Sequence, residues 1–153
     1  MKPRMEYWKV APGAYKAMSS LEAYLRESGL DKPLLDMIKL RASQINGCAY
    51  CIDMHWKDAR AVGESEQRLY GLDAWREAPY YTDRERAAFE WTEALTNVAD
   101  GHVPDSVYES VTAHLSEREL ADLTIAVAQI NAWNRVAIAF RSEAGKYKPA
   151  AHG

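Results

Sequence analysis

The stretch SERELADLTIAVAQINAWNRVAIAFR, residues 116–141, governs the reading of the fold. Ser116 followed three positions later by Glu119 is a capping box, in which each side chain satisfies the other residue's free backbone N–H. From Leu123 to Phe140 the residues are apolar on most sides of the helix that follows. A helix of that kind is predicted to lie at the centre of a bundle or beneath another subunit. A chain of 153 residues offers few other helices to cover it, so self-association is expected.

Outward from this segment the chain continues to read as helices. Thr82-Asp83-Arg84-Glu85 is a second capping box, opening a helix that turns Ala88, Trp91, Ala94 and Leu95 inward. A short helix follows Pro104. Near the N-terminus, Tyr15, Met18, Leu21 and Leu25 recur at three- and four-residue steps, predicting a helix from about Ala14 to Glu27 that Gly29 stops. Asp31 caps the next, with Pro33 tolerated in its first turn. That helix carries Leu34, Leu35, Ile38 and Ala42 and ends at Asn46-Gly47. Another runs from the cysteines to about Val62, ahead of Gly63. Ser65 opens one bearing Leu69, Leu72 and Trp75, which stops before Pro79. No segment alternates as a strand would, and neither a repeat nor a low-complexity linker is present. The expectation is an all-α, single-domain bundle over residues 1–153, with its core at about 14–141 and a frayed tail after Lys146.

The composition restricts the function. With a formal net charge of −3 and acids and bases mixed throughout, no basic stripe is available to neutralise phosphates, which argues against nucleic acid. The opening MKPRMEYWKVAPGAY lacks the apolar run of a signal peptide. No stretch reaches the length of a membrane span. A cytoplasmic location follows, where thiols stay reduced and a permanent disulfide is unusual. The chain nevertheless has two cysteines, placed three residues apart. A loop that small restrains little of the unfolded chain, so stability is a poor reason for the pair.

The chemistry-bearing segment is Ser43-Gln44-Ile45-Asn46-Gly47-Cys48-Ala49-Tyr50-Cys51-Ile52-Asp53-Met54-His55. Asn46 as N-cap would place Cys48 in the first turn of the helix and Cys51 one turn in. Spacings of three and four put Cys48, Cys51 and His55 on one face. A helix N-terminus favours thiolate, the nucleophilic form of cysteine. The imidazole of His55 could accept a proton from Cys51 or hold its thiolate as an ion pair. One sulfur would attack a peroxide O–O bond and become a sulfenic acid, and the other would condense with it to a disulfide. Exchange with a thiol partner would restore the dithiol. The alternatives are inert buried cysteines and half a zinc site. Zinc wants four ligands, and His55, His102, His114 and His152 supply no second close pair. Neither a metal nor a cofactor is expected, since no glycine-rich dinucleotide loop is present either.

The run from about Leu34 to Thr96 resembles the alkylhydroperoxidase D-like branch of the carboxymuconolactone decarboxylase family. The carrying residues are Leu40 through Cys51, then His55, Asp58-Ala59-Arg60, Ala74-Trp75-Arg76-Glu77-Ala78-Pro79, and Thr82 through Ala88. Asn131-Ala132-Trp133-Asn134-Arg135 is similar to the family's ending. The resemblance implies a helical subunit assembled into trimers or hexamers, with thiol-dependent peroxidase activity on organic or hydrogen peroxides. It further implies that Cys51 attacks peroxide, that Cys48 resolves the product, and that His55 shares a proton relay with an acid twelve residues before the first cysteine. That acid here is Asp36, one methylene shorter than the family's glutamate. Tyr50 stands where the best-known members carry a histidine, and cannot serve as a base near neutral pH. The reductant implied is a thiol or dithiol, such as a lipoyl-bearing or thioredoxin-like protein. Family members that decarboxylate lactones lack the cysteine pair, which argues against that activity here.

Two other functions stay open on the sequence: a general disulfide oxidoreductase or redox sensor using the same dithiol, and a non-catalytic helical oligomer that binds a partner. Lys39 and Arg41 read as a solvated face beside the motif. Asn131, Asn134 and Arg135 read as a structural network or subunit contact, His102 and His114 as surface residues, and Tyr50 and Trp56 as the lining of an entrance for an apolar peroxide.

Overall fold

The computed structural model describes residues 2–149, and in them the chain runs through α1 (Tyr7–Val10), α2 (Pro12–Arg26), α3 (Lys32–Asn46), α4 (Ala49–Ala61), α5 (Glu66–Tyr70), a 3-10 turn (Gly71–Ala74), α6 (Asp83–Thr96), α7 (Asp105–Thr112) and α8 (Glu117–Phe140). No strand occurs among the described residues. The helix boundaries follow the caps. Asp31 accepts the N–H of Leu34, and both capping boxes close, Thr82 with Glu85 and Ser116 with Glu119. The sequence reading omitted α1, a single turn without a capping side chain. Short turns of this kind carry too little apolar periodicity to register.

The helix at the centre is α3. Every residue from Leu34 to Leu40 is buried, nearly two full turns, so α3 is enclosed on all sides by α4, α6 and α8. Of the two placements expected for α8, at the centre of the bundle or beneath another subunit, the first belongs to α3. Leu123, Ala126, Val127 and Ile130 face the core, but Ile125 and Ile138 are 44% and 47% exposed. Apolar composition all round did not place α8 at the centre, whereas α3 reaches it carrying charge.

Those charges are accounted for one by one. Lys39, only 4% exposed, donates a short hydrogen bond to Glu22 of α2. Arg41 reaches Glu93 of α6 at 2.8 Å and Asp73 of the 3-10 turn at 2.5 Å. Ser43 donates to the carbonyl of Lys39 and accepts from Asn134 of α8. The solvated face expected at Lys39 and Arg41 is therefore absent: both are drawn into ion pairs with other elements. Phe89, fully buried, sits edge-on to Trp75 and Tyr81, with centroids 5.8 and 5.3 Å away, and fixes α6 against the segment before it. Tyr147, expected in a frayed tail, is tied to α4 by a 2.7 Å hydrogen bond to Asp58. The end of that tail, residues 150–153 with His152, lies outside the described residues.

The Lys39–Glu22 pair gives a direct test. Removing one member of a buried pair strands the other's charge in low dielectric, at a cost of about 3 kcal/mol. Glu22→Gln is expected to lower the urea unfolding midpoint accordingly. The double variant Glu22→Gln with Lys39→Met should recover a large part of the loss. Additive losses in the two single variants would show the pair to be uncoupled.

Candidate active site

Gly47 ends α3 in the left-handed conformation, with φ at 66°, which glycine adopts without steric cost. This turn aims the chain into α4, and the capping group of α4 is Cys48 itself. Cys48 has an extended backbone and its sulfur accepts the N–H of Cys51 at 3.4 Å. The sequence reading gave that cap to Asn46. Asn46 is instead the last residue of α3, and its amide donates to Asn131 and Asn134 of α8 at 3.0 and 2.8 Å. Asn131 in turn donates to Thr96 of α6. The polar residues of α8 thus form a network that fixes where α3 ends and the cysteine turn begins.

Cys48 and Cys51 are joined in a disulfide, their Cα atoms 5.3 Å apart, a separation within the ordinary range for such bonds. Both are almost completely buried, with Ala137 of α8 and Tyr50 packed against them. One turn along α4, His55 is buried and its Nε2 has no hydrogen-bond partner among the described residues. Burial, reinforced by the positive charges of Lys39, Lys32 and Arg26, pushes the imidazole down to about 3. In the disulfide form His55 is therefore neutral at neutral pH. Of the two roles expected from sequence, proton acceptor and ion-pair partner of a Cys51 thiolate, the second belongs to the reduced protein and not to this disulfide form.

Asp36 lies on α3 and bonds to Lys32 at 2.5 Å. Burial holds its carboxyl above the ordinary carboxylate range despite the lysine. No hydrogen bond joins Asp36 to His55 among the described residues; Lys32 and Lys39 act electrostatically on both, so the two groups share one charged neighbourhood. Sequence reasoning missed Glu22, Lys32 and Lys39 as parts of that neighbourhood. Lys32 was the readable one, since it stands four residues before Asp36 on one helix. Burial pushes the phenol of Tyr50 above its usual value, which keeps it from acting as a base. Trp56, half-buried, packs against the main core. His102 and His114 are exposed.

An all-helical subunit with a C-x-x-C pair at a helix start defines a recognisable class. The model of the carboxymuconolactone decarboxylase family matches residues 12–94, more than half of the chain, and the chain belongs to that family. Over 144 residues it is 43% identical to the uncharacterized protein YdfG of Bacillus subtilis, covering 94% of this chain and 98% of the relative. Its structure superposes with a TM-score of 0.92 on a protein of unknown function from Agrobacterium tumefaciens, described as a candidate AhpD antioxidant-defence protein. The two share 45% identity over 95% of this chain and 100% of the other. A peroxidase-related protein from Silicibacter sp. TM1040 superposes at 0.77, with 25% identity over 86% of this chain and 70% of that one. The fold is thus AhpD-like, and these two solved structures are described in terms of antioxidant or peroxidase-related proteins.

The state of His55 makes stability depend on pH. The unfolded chain takes up a proton at His55 near pH 6.5, and the folded disulfide form only near 3. Between these values the unfolded state binds more protons, so stability falls as the pH is lowered from 6.5 toward 3. Asp36 acts oppositely just above its ordinary 3.8, where the folded state holds the extra proton and stability falls as the pH rises. We expect the urea midpoint of oxidised protein to drop with acid below pH 6.5, and the drop to be shallower in His55→Gln. Parallel curves for the two proteins would remove His55 as the source.

Proposed function

We propose that this chain is a thiol-dependent peroxidase of the AhpD-like kind, reducing organic or hydrogen peroxides through a cycle between the Cys48/Cys51 dithiol and its disulfide. The observation that carries this reading is the pair itself: two cysteines bonded across the start of α4, with a buried, neutral imidazole one turn on. The antioxidant and peroxidase-related descriptions of the relatives support it.

The steps follow from the chemistry of the groups. Cys51 gives up its proton to His55, and its thiolate attacks one peroxide oxygen. The O–O bond breaks, the alkoxide takes a proton and leaves as alcohol, and Cys51 becomes a sulfenic acid. Cys48 thiolate then attacks the Cys51 sulfur and expels hydroxide, which leaves as water, forming the disulfide. Asp36 and Lys32 serve as the outer part of the proton route. Lys32 is half-exposed and bonded to the buried carboxyl, so the pair links the interior to solvent. A bridging water between His55 and Asp36 would complete this route, in keeping with the shorter acid. A thiol or dithiol reductant, such as a lipoyl-bearing or thioredoxin-like protein, returns the disulfide to the dithiol in a cytoplasmic setting.

The assembly is proposed to be a homo-oligomer, a trimer or a hexamer. Large apolar side chains stand exposed along α1, α2 and α8, among them Trp8, Tyr15 and Ile125, and association would cover them. A light-scattering mass of three or six chains is the expected result, and a monomer at micromolar concentration would refute it.

Stopped-flow tryptophan fluorescence of the reduced protein mixed with cumene hydroperoxide tests the reaction. Rapid oxidation with loss of both thiols is expected. Cys51→Ser should abolish it, Cys48→Ser should stop at a dimedone-reactive sulfenic acid, and His55→Gln should slow the first step about 100-fold. Thiols that survive excess peroxide would overturn the peroxidase reading. Fast reaction with a small disulfide in that case would leave a disulfide oxidoreductase or redox sensor in its place.

A further inference from the structure

A pocket of about 490 Å³ opens beside the disulfide, between the α3–α4 turn, the end of α8 and the segment that follows it. Cys48 forms part of its wall and Cys51 does not. Tyr50, Ala137 and Ile138 supply an apolar side. The far wall, Ser142 to Ala144, belongs to a strap latched onto α4. Asp53 accepts the N–H of Gly145, and Lys57 donates to the carbonyls of Gly145 and Tyr147. Two charged residues line the pocket, Arg141 and Glu143. Glu143 is neutralised by Lys146 at 2.9 Å, whereas Arg141, half-buried, makes no ion pair or side-chain hydrogen bond among the described residues. The pocket is therefore walled by one cysteine of the disulfide, a short apolar surface and one arginine with no ionic partner among the described residues.

We propose that this pocket receives the reductant, a small thiol bearing an anionic group, whose anion pairs with Arg141 while its thiolate attacks Cys48. The inference rests on the dithiol cycle proposed above, puts a small anionic thiol in the place of the protein reductant named there, and adds the direction of attack. Cys48 is only 1% exposed, so its sulfur is reached by a slim thiol carried to the bottom of the pocket. The thiolate sulfur bonds to Cys48 Sγ, the S–S bond breaks, and its electron pair leaves on Cys51 Sγ. A second thiolate attacks the reductant sulfur of the mixed disulfide, forming the reductant's own disulfide and releasing Cys48 as thiolate. Attack at Cys48, the cysteine that lines the pocket, makes the leaving sulfur Cys51, which is thereby delivered in the form that attacks the next peroxide.

The test needs no peroxide. Protein is oxidised with diamide, and its reduction is timed by thiol counting with three thiols on the same ethanethiol skeleton: 2-mercaptoethanesulfonate, 2-mercaptoethanol and cysteamine. Rates are expressed per thiolate. Wild type is expected to favour the sulfonate over the alcohol about five-fold, the scale of one partly exposed ion pair, and the amine to be slowest. The sulfonate-to-alcohol ratio should fall to near one in Arg141→Gln, survive in Arg141→Lys, and survive in Lys16→Gln, which removes the same charge from α2 away from the pocket. A ratio near one in wild type, or one unchanged in Arg141→Gln, overturns the proposal. Because the disulfide is made by diamide, a chain that fails to reduce peroxide still reports on the pocket. Equally, a lost ratio leaves the peroxide step standing.

Discussion

Burying α3 on every side while it carries Asp36, Lys39 and Arg41 is the constraint that arranges the other helices. An unpaired charge in a protein interior is too costly to keep, so each must meet a partner; Asp36 finds Lys32 within α3, and the partners of Lys39 and Arg41 lie on other elements. Glu22 draws α2 onto Lys39, Glu93 draws α6 onto Arg41, and Asp73 draws in the 3-10 turn. Trp75 and Arg76 also bond to Glu93, at 2.8 and 2.5 Å, so one carboxylate ties three segments together. Such pairs are poor sources of net stability beside apolar packing. Their effect here is geometrical: they admit few other arrangements of the bundle.

The same constraint reaches the cysteine turn. Ser43, Asn46, Asn131 and Asn134 form a buried amide and hydroxyl network at the end of α3. Satisfied networks of this kind hold positions that apolar contacts would leave free to slide. The turn at Gly47 starts from a fixed point, and α4 begins at Ala49 with Cys48 as its cap. The cations that serve packing also serve the site. Lys39 is buried beside Glu22 for structural reasons, yet its charge, with Lys32 and Arg26, helps to keep His55 neutral. Folding and reactivity draw on one set of residues.

Which parts were legible in the sequence follows from the range of the interactions concerned. The two capping boxes, the Asp31 cap and the Gly47 stop are decided within four residues, and each is found where the sequence places it. The C-x-x-C segment is local as well, and the family could be read from it. Errors arose where partners lie far apart along the chain. Asn46 looks like a cap until Asn131 and Asn134, 85 and 88 residues away, claim its amide. Lys39 looks solvated until Glu22 is brought beside it. The all-apolar α8 looks central because hydropathy does not reveal that the charges of α3 have partners. Arg141 gave no signal in sequence, since what distinguishes it is the lack of a partner in a folded pocket.

A redox cycle at this position asks little of the fold. The sulfurs leave the first turn of α4 within reach of each other, the Cα separation of 5.3 Å already suits a disulfide, and the backbone on both sides is pinned, by the asparagine network before Cys48 and by helix hydrogen bonds after Cys51. Making or breaking the bond can then be confined to two side-chain rotations. What changes between the states is charge. A thiolate at Cys51 places a negative group one turn from His55, opposing the burial and the cations that depress it, so the imidazole binds a proton more readily in the reduced protein than in the oxidised one. The proton affinity of His55 thus rises once Cys51 is a thiolate and falls when the disulfide forms.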